Sequence, residues 1–349
     1  MKKTSFWGYL RPNGQVGIRN RLLVLSSVSC ANDVVLKIAH EIPEAFSIIH
    51  QHGCGHLLTE DINQTRRMLI NSACNPNIGA CLVVGLGCEL MEAHSLAQEI
   101  SCNSNKPVAA ISIQNEGGTV KAIRKGCEIC QELLMSMQYQ RTICSLSNLT
   151  IGIFGNHKES LIDNYSMGGN LTDLLLEYGI SVIQAESAEL YPLRNEFLKR
   201  SESDMVRQKL NVVFSNIEHK LSKLGVTYND LTTGINQSWN DIAYAKLLLM
   251  GKAIFNDVIN TGEISTKQGL IHMESTLFTP ETISSMGASS AQLGIYLGKR
   301  VYGTHPILPV YTLSEIKDMD HLVSYFEQDD DKLLKNNYSF AITRIGPST

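Results

Sequence analysis

The chain has 349 residues, of which 43% are hydrophobic, enough for two domains with a core each and too many for a disordered protein. Lys and Arg number 30 against 34 Asp and Glu, which gives a net charge of -4. No basic stripe is present, so nucleic acid is not an expected partner. No apolar run reaches the roughly 18 residues of a membrane span. The polar start, Met1 to Trp7, does not resemble a secretory signal, and we expect a cytoplasmic protein.

Strand-like and helix-like segments alternate along the first part of the chain. We predict strands at Arg21–Val28, Phe46–His50, Ala80–Gly85 and Val108–Ile113, and helices at Asn32–His40, Leu57–Ser72, Leu90–Ile100 and Gly118–Gln138. Short apolar runs separated by amphipathic segments at this spacing indicate βαβ units and a mostly parallel sheet.

A second α/β pattern follows a polar segment, Met137–Ser147, which we interpret as a domain boundary. Its predicted strands are Leu149–Phe154, Ser181–Gln184, Gly269–Met273, Gln292–Tyr296, Ile307–Tyr311 and Tyr338–Arg344. Its predicted helices are Gly169–Tyr178, Arg200–Leu224, Ile242–Asn260 and one that starts near Thr279. We therefore predict an α/β fold with two Rossmann-like, mostly parallel domains, residues 1–145 and 148–349.

Two glycine-rich stretches stand at predicted strand ends. The first, Ile48 to His56, contains His50, His52, Cys54 and His56, and the second is Gly85-Leu86-Gly87-Cys88-Glu89. Loops at the carboxyl ends of parallel strands meet at one edge of the sheet, where open α/β folds bind their ligands. Two thiols, a carboxylate and imidazoles are therefore predicted to converge on one cleft.

The nine cysteines all lie in the first 144 residues. Their odd number in a long chain argues for reduced thiols rather than a disulfide scaffold. Cys127 and Cys130 have the spacing of a redox or zinc half-motif, but they fall inside an amphipathic helix with no second pair. Packing is the preferred interpretation of that pair, and a thiol redox enzyme is a weaker one.

Several motifs resemble the altronate/galactarate dehydratase family. Gly8–Asn20 is similar to its opening signature, His52–Gly55 to its glycine–cysteine–glycine motif and Gly85–Glu89 to a further signature. Gln114–Thr119 looks like its glutamine–glutamate–glutamate–glycine–glycine–threonine motif, with Asn115 in place of one glutamate, and Ile345-Gly346-Pro347 looks like its ending. The resemblance is stronger over residues 1–145 than over residues 150–349.

The resemblance implies a hydro-lyase that converts a sugar acid such as altronate or galactarate to a 2-keto-3-deoxy product. It also implies a divalent metal, usually iron, with manganese as an alternative. A sulfo-lyase that acts on sulfolactate is a related enzyme. Many family members begin with a small SAF-type domain, which we expect to be absent here because Gly8 is almost the first residue. A small partner subunit is therefore predicted, and a homo-oligomer is expected.

The chemistry assigns candidate roles to residues in these motifs. Loss of water next to a carboxylate needs a base, for which we consider Glu89 and Glu116, with His52 as a further catalytic candidate. The predicted substrate-binding residues are Arg11, Arg19, Asn20, Gln114, Gly117, Gly118 and Lys121. Arginine offers bidentate contact to a carboxylate, and the glycines offer backbone N–H donors. Each candidate also has a plainer interpretation, since Glu89 and Glu116 stand where they would cap helices.

The second half departs from the family pattern. Gly155-Asn156-His157 stands where the family has a cysteine–glycine–glycine–serine–aspartate motif. We therefore predict a metal site of Cys54, Cys88 and His157, in which His157 or another group replaces the missing cysteine and His52 is a further candidate ligand. The alternative is a non-catalytic or regulatory small-molecule-binding relative that has lost its metal, or a sulfo-lyase-type activity.

Overall fold

The structure is a computed structural model. It describes residues 3–55, 58–137, 140–155, 162–185, 187–223, 225–227, 239–275, 279–298, 305–329 and 340–343. None of the helices in these ranges combines the length and the apolar character that a bilayer crossing requires.

The first part of the chain alternates strands and helices, as predicted. In chain order its elements are β1 (Ser5–Leu10), β2 (Val16–Gly17), β3 (Arg21–Ser26), α1 (Asn32–Glu41), β4 (Ala45–Ile48), α2 (Thr59–Cys74), β5 (Ile78–Gly85), α3 (Ala93–Ser104), β6 (Val108–Ser112), α4 (Thr119–Ser136) and β7 (Thr142–Ser145).

Strands β3 to β6 form a four-stranded sheet in the order β4-β3-β5-β6, and every pair is parallel. All residues of β3, β4 and β5 are buried, as expected for a parallel sheet covered by helices on both faces. The chain leaves β3 toward β4 on one side and returns to β5 on the other. The carboxyl ends of β3 and β5 therefore flank a topological switch point, where doubly wound sheets bind ligands.

The second part of the chain has its own parallel sheet. Its elements are β8 (Thr150–Phe154), α5 (Ile162–Glu177), β9 (Ser181–Gln184), α6 (Arg194–Lys199), α7 (Asp204–Lys223), α8 (Trp239–Leu249), β10 (Phe255–Ile259), β11 (Leu270–Met273), α9 (Thr279–Ala288), β12 (Leu293–Tyr296), β13 (Val310–Thr312) and α10 (Met319–Glu327). The strand order is β10-β11-β9-β8-β12-β13, with a switch point between β8 and β12. Two parallel sheets with helical crossovers confirm the predicted α/β class.

The two sheets share a core and present their carboxyl edges on the same side. One apolar cluster contains Leu23 and Leu25 of β3 together with Phe154 of β8 and Tyr296 of β12. Asn75, just after α2, donates to the carbonyl oxygens of Gly287 and Ala291 at the end of α9. Near the first turns of the same two helices, Gln64 of α2 donates to the carbonyl oxygen of Thr343, and the Thr343 hydroxyl donates to Glu281 of α9. Helices α2 and α9 therefore run in the same direction, and both begin at carboxyl edges.

Several parts of the fold differ from the sequence prediction, and helices α6 and α10 were not predicted at all. Strands β1, β2 and β7 form a small antiparallel sheet, in which Trp7 pairs with Ile143, although no strand was predicted in these segments. The predicted helix Ile242–Asn260 is wrong in its second half, because α8 ends at Leu249 and β10 follows. Residues 340–343 are irregular rather than part of a final strand, and the rest of that predicted strand lies outside the described residues.

Candidate active site

The two glycine-rich stretches meet at the switch point of the first sheet. The backbone N–H of Leu90 donates to the carbonyl oxygen of Gly53, 3.3 Å away. The N–H of Ser29, just after β3, donates to the carbonyl oxygen of His52 at 2.9 Å. The loops that follow β3, β4 and β5 are thus tied together, and the predicted convergence of the loops around Cys54, Cys88 and Glu89 is found in the structure.

Glu89 is half-buried at the centre of this arrangement, and its carboxylate is held by two donors. Ser27 donates from Oγ to Glu89 Oε1 at 3.0 Å, and the N–H of Gly87 donates to Glu89 Oε2 at 2.6 Å. The helix-cap interpretation does not hold for this residue. Helix α3 begins later, and Glu92 caps it by accepting from the N–H groups of His94 and Ser95. Burial is the largest single influence and raises the pKa of Glu92, but the hydrogen bonds from His94 and Ser95 and the charge of His94 together lower that pKa below its usual value.

Glycines let the backbone approach these groups closely. A Cβ atom on Gly85 would lie 2.0 Å from Glu89 Oε1 and 3.0 Å from Ser27 Oγ. Gly53 has φ +104, and a Cβ there would lie 2.6 Å from the carbonyl oxygen of Ser27. Gly53 is therefore required by close backbone packing, and Gly85 leaves the space that the Glu89 carboxylate occupies.

His50 and His52 are buried rather than presented to solvent. The N–H of His52 donates to Nδ1 of His50 at 3.1 Å, so the other ring nitrogen of His50 carries the proton and donates to the carbonyl oxygen of Ser26 at 2.8 Å. The two rings stack with centroids 5.9 Å apart. His50 thus fixes the turn between β4 and the Cys54 loop. The His52 side chain is buried in this turn, and its catalytic role stays a prediction.

Cys54 and Cys88 are both exposed and free at this edge. His157, the third predicted metal ligand, lies outside the described residues. Within the described ranges, no three His, Cys, Asp or Glu side chains come close enough together to hold a metal ion. Thiols suit iron and zinc, but the described residues supply only two donors and do not by themselves complete a metal site.

The glutamine-containing motif forms the neighbouring loop after β6. Its backbone joins the Gly85 loop, because the N–H groups of Ile113 and Gln114 donate to the carbonyl oxygens of Gly85 and Leu86. Gly117 and Gly118 have φ +79 and +113 and lead into α4, which has no side-chain cap. Glu116 is half-buried and does not cap α4, and Gln114 and Lys121 are exposed. Lys121, in the first turn of α4, and the N-terminus of that helix follow directly on this loop.

The structure does not bring Arg11, Arg19 and Asn20 to this edge. Arg11 is 2% exposed and donates to the carbonyl oxygens of Pro76 and Arg19 and to Asn20 Oδ1. Arg19 and Asn20 directly precede β3, and Pro76 lies two residues before β5. In a parallel sheet these positions mark the amino edge, opposite to Cys88 and Glu89. The substrate contact predicted for these three residues is therefore not supported by their placement.

The Cys127 and Cys130 pair lies along α4, with Cys130 fully buried and Cys127 half-buried. Burial raises the pKa of Cys130 to about 12, and burial together with Glu41 and Glu128 raises the pKa of Cys127. Reactive thiols have lowered pKa values. The packing interpretation of this pair agrees with the structure.

Ser27 is the site residue that the sequence prediction missed. It follows β3 in the sequence Ser26-Ser27-Val28. A pair of serines at the carboxyl end of the first buried strand of a βαβ unit is a usable signal, because that strand end borders the switch point.

The match to known proteins covers most of the chain. Residues 8–138 match the second domain of the D-galactarate dehydratase/altronate hydrolase family, and residues 158–323 match the C-terminal domain of the D-galactarate/altronate dehydratases. The chain belongs to this family. The two matched segments leave out only short stretches at the ends and the junction between the two parts.

Individual relatives are distant in sequence. The chain is 27% identical to (2R)-sulfolactate sulfo-lyase subunit beta of Chromohalobacter salexigens over an alignment of 331 residues. That alignment covers 90% of this chain and 82% of the relative. It is 24% identical to altronate dehydratase of Bacillus subtilis, over 89% of this chain and 66% of the relative. Against altronate dehydratase of Escherichia coli the identity is 27%, over 58% of this chain and 43% of the relative. The chain thus spans about two thirds or less of the altronate dehydratases that it matches.

Proposed function

We propose that the protein is a carbon–oxygen lyase that removes water from a sugar acid such as altronate or galactarate and releases a 2-keto-3-deoxy acid. The observation that carries this proposal is the position of Glu89. In a chain of the dehydratase family, its carboxylate stands at the switch point, held by Ser27 and Gly87 and not spent on capping a helix.

In the proposed reaction, Glu89 takes the proton from the carbon next to the substrate carboxylate. The electron pair of that C–H bond forms a C=C bond as the neighbouring C–O bond breaks. Hydroxide leaves as water by taking up the proton that Glu89 accepted, which restores the base, and the enol tautomerises to the 2-keto acid without any oxidant. Lys121 and the N-terminus of α4 stand at the next loop, where positive charge stabilises the substrate carboxylate.

A divalent metal, Fe2+ or Mn2+, is part of the proposal. Cys54 and Cys88 are accessible thiols beside the proposed base, and we propose that they bind the metal together with His157. A metal there would assist the departure of hydroxide as a Lewis acid. Two thiolates alone hold a metal weakly, so the proposal depends on the third donor.

We also propose that a separate small polypeptide, of the SAF type, completes the enzyme. The sulfolactate sulfo-lyase relative is named as a beta subunit, which supports the presence of a partner subunit. A cytoplasmic location and assembly of several copies of the chain are further parts of the proposal.

A carbon–sulfur lyase is the second candidate. The sulfo-lyase subunit is covered over 82% of its length by this chain, against 66% and 43% for the two altronate dehydratases. The same proton abstraction by Glu89 would serve elimination of sulfite from a sulfonated hydroxy acid. The leaving group is then the only chemical difference between the two reactions.

The test is a substrate panel of aldonates, aldarates and sulfolactate. The purified chain is assayed with and without Fe2+ and with any small co-encoded subunit, and 2-keto acid and sulfite are both measured. Keto acid without sulfite supports the hydro-lyase, and sulfite release from sulfolactate supports the second candidate. Binding of a panel acid with no product under any of these conditions would favour a non-catalytic, regulatory relative.

A further inference from the structure

The hydroxyl of Ser27 has two acceptors within reach but only one proton. Oγ lies 3.0 Å from Glu89 Oε1 and 3.4 Å from the carbonyl oxygen of Val84. The backbone N–H of Ser27 also donates to Val84 O, at 3.0 Å, which fixes the residue beside both acceptors. A hydroxyl can donate one hydrogen bond and accept others, so its orientation follows whichever neighbour needs a donor.

We propose that Ser27 is the positioning residue of the base. Its hydroxyl donates to Glu89 Oε1 rather than to Val84 O, because a hydrogen bond to a carboxylate is the stronger one and the distance is shorter. The backbone bond from Ser27 to Val84 keeps the hydroxyl in place, so Oε1 is held toward the substrate.

Neighbouring groups restrict the position of the Glu89 side chain. Oε2 accepts from the N–H of Gly87, and the missing side chain of Gly85 is what admits Oε1 beside Ser27, since a Cβ there would lie 2.0 Å from Oε1. Each carboxylate oxygen keeps a free lone pair, because each accepts only one described hydrogen bond. The group is therefore held in place and still able to accept a proton from a substrate.

The inference rests on the proposed role of Glu89 as base, and the adjacent serine provides a matched control. Ser26 is buried and donates from Oγ to the carbonyl oxygen of Val28 at 2.6 Å, within the same turn but away from Glu89. Ser27→Ala should lower kcat roughly 10- to 100-fold with little change in KM, because it removes a hydrogen bond to a charged group. Ser27→Thr keeps the hydroxyl and should restore most of kcat, whereas Ser26→Ala should affect mainly Tm.

A second readout does not need the substrate. In protein labelled with carbon-13 at the glutamate carboxyl carbon, the Glu89 signal is assigned by its loss in Glu89→Gln. That signal should move in Ser27→Ala, return in Ser27→Thr and stay in place in Ser26→Ala. If the wild type turns over no acid in the panel but the signal behaves in this way, the proposed function fails and the Ser27–Glu89 coupling stands. An unchanged signal, an unchanged kcat in Ser27→Ala, or equal losses in Ser26→Ala would overturn the inference.

Discussion

The backbone N–H of Leu90 donates a hydrogen bond to the carbonyl oxygen of Gly53, 3.3 Å away. This bond joins the loop after β4 to the loop after β5 across the intervening strand β3. It brings the Cys54 loop beside Cys88 and Glu89 with no side chain in the connection. The geometry of the site therefore depends on backbone conformation, and glycine substitutions test it as directly as changes to the functional groups.

The first prediction separates two neighbouring glutamates. Glu89→Gln should lower kcat on the accepted substrate by roughly 100- to 10,000-fold, the usual contribution of a general base, with little loss of stability. Glu92→Gln should lower the free energy of unfolding by about 1 kcal/mol, because it weakens the cap of α3, and should leave kcat nearly unchanged. Steady-state kinetics and urea unfolding of both variants measure these effects. Comparable losses of kcat in the two variants would contradict the assignment of the base.

The second prediction concerns Gly53. Gly53→Ala should lower the free energy of unfolding by more than 2 kcal/mol and disrupt the cleft, because the added Cβ would meet Ser27 O at 2.6 Å in a backbone with φ +104. Gly14→Ala is the control, since Gly14 also has positive φ, +84, but nothing lies within 4 Å of the added atom. Gly14→Ala should lower the free energy of unfolding by only about 1 kcal/mol, through conformational strain. Urea unfolding gives both values, and equal costs would mean that close packing at Gly53 is unimportant.

The regular elements with strong local patterns were predictable, and those that depend on distant or subtle signals were not. Strand β9 has the predicted bounds, Ser181–Gln184, because a short apolar run ends cleanly there. The pairing of Trp7 with Ile143 joins residues far apart in sequence, which no local pattern reveals. The end of α8 was missed because its apolar spacing continues past Gly251, whose left-handed conformation, φ +59, follows the last turn of the helix.

The site was partly predictable for the same reason. Cys54, Cys88 and Glu89 follow strand-like runs, and the parallel order of β4, β3 and β5 then places them at one edge. Arg11 was misjudged because its motif lies before β3, and only the topology shows that this end of the strand faces away from the site. Its guanidinium instead ties backbone carbonyls of two loops together at the amino edge.

The third prediction tests the proposed metal. Protein purified with Fe2+ present and dialysed should retain metal, and Cys54→Ser or Cys88→Ser should reduce the bound metal at least 10-fold, as should His157→Ala. Cys102→Ser is the control, since Cys102 is also exposed but lies on α3, away from the loop of Cys88. Elemental analysis of the wild type and the four variants measures this without any substrate. Retention of metal in both site thiol variants would remove Cys54 and Cys88 from the ligand set.

The fourth prediction follows from two buried histidines. Burial, with a smaller effect of Lys246, lowers the pKa of His272 to about 3, and burial with a smaller effect of Arg21 lowers the pKa of His305 to about 3. Both are neutral in the folded protein, whereas an unfolded histidine titrates near pH 6.5. Between about pH 6.5 and 3 the unfolded chain binds more protons, so stability falls as pH is lowered through this window. The loss is about 1.4 kcal/mol per pH unit for each histidine.

The variant His305→Asn should flatten this dependence. In the wild type, Nδ1 of His305 accepts from the N–H groups of Ile307 and Leu308, and an asparagine oxygen can replace that acceptor. Free energies of unfolding measured from pH 4 to 7 should fall less steeply in the variant than in the wild type. The control is His40→Asn, which replaces an exposed histidine at the end of α1 and is measured over the same pH range. An identical slope in His305→Asn and the wild type would show that His305 does not contribute to acid unfolding.

The fifth prediction concerns a buried ion pair in the second part of the chain. Lys246 Nζ lies 2.9 Å from Glu189 Oε2, and both side chains are at most 3% exposed. Lys246→Met should lower the free energy of unfolding by about 3–5 kcal/mol, because it leaves the carboxylate in the core without its ammonium partner. The double variant Lys246→Met/Glu189→Leu should recover most of that loss. Lys199→Met, which breaks an exposed pair with Glu196 at 2.8 Å, should change stability by less than about 1 kcal/mol.

The double variant also tests whether this ion pair affects catalysis. Glu189 lies in the segment after β9, at the carboxyl edge of the second sheet, and Lys246 holds it against α8. If the pair serves only packing, the double variant should regain both stability and kcat. If its charges are needed at that edge, stability should return while kcat stays low. Unfolding and kinetics measured on the same preparations separate the two results. A double variant no more stable than Lys246→Met would show that the lost stability of Lys246→Met does not come from breaking the ion pair.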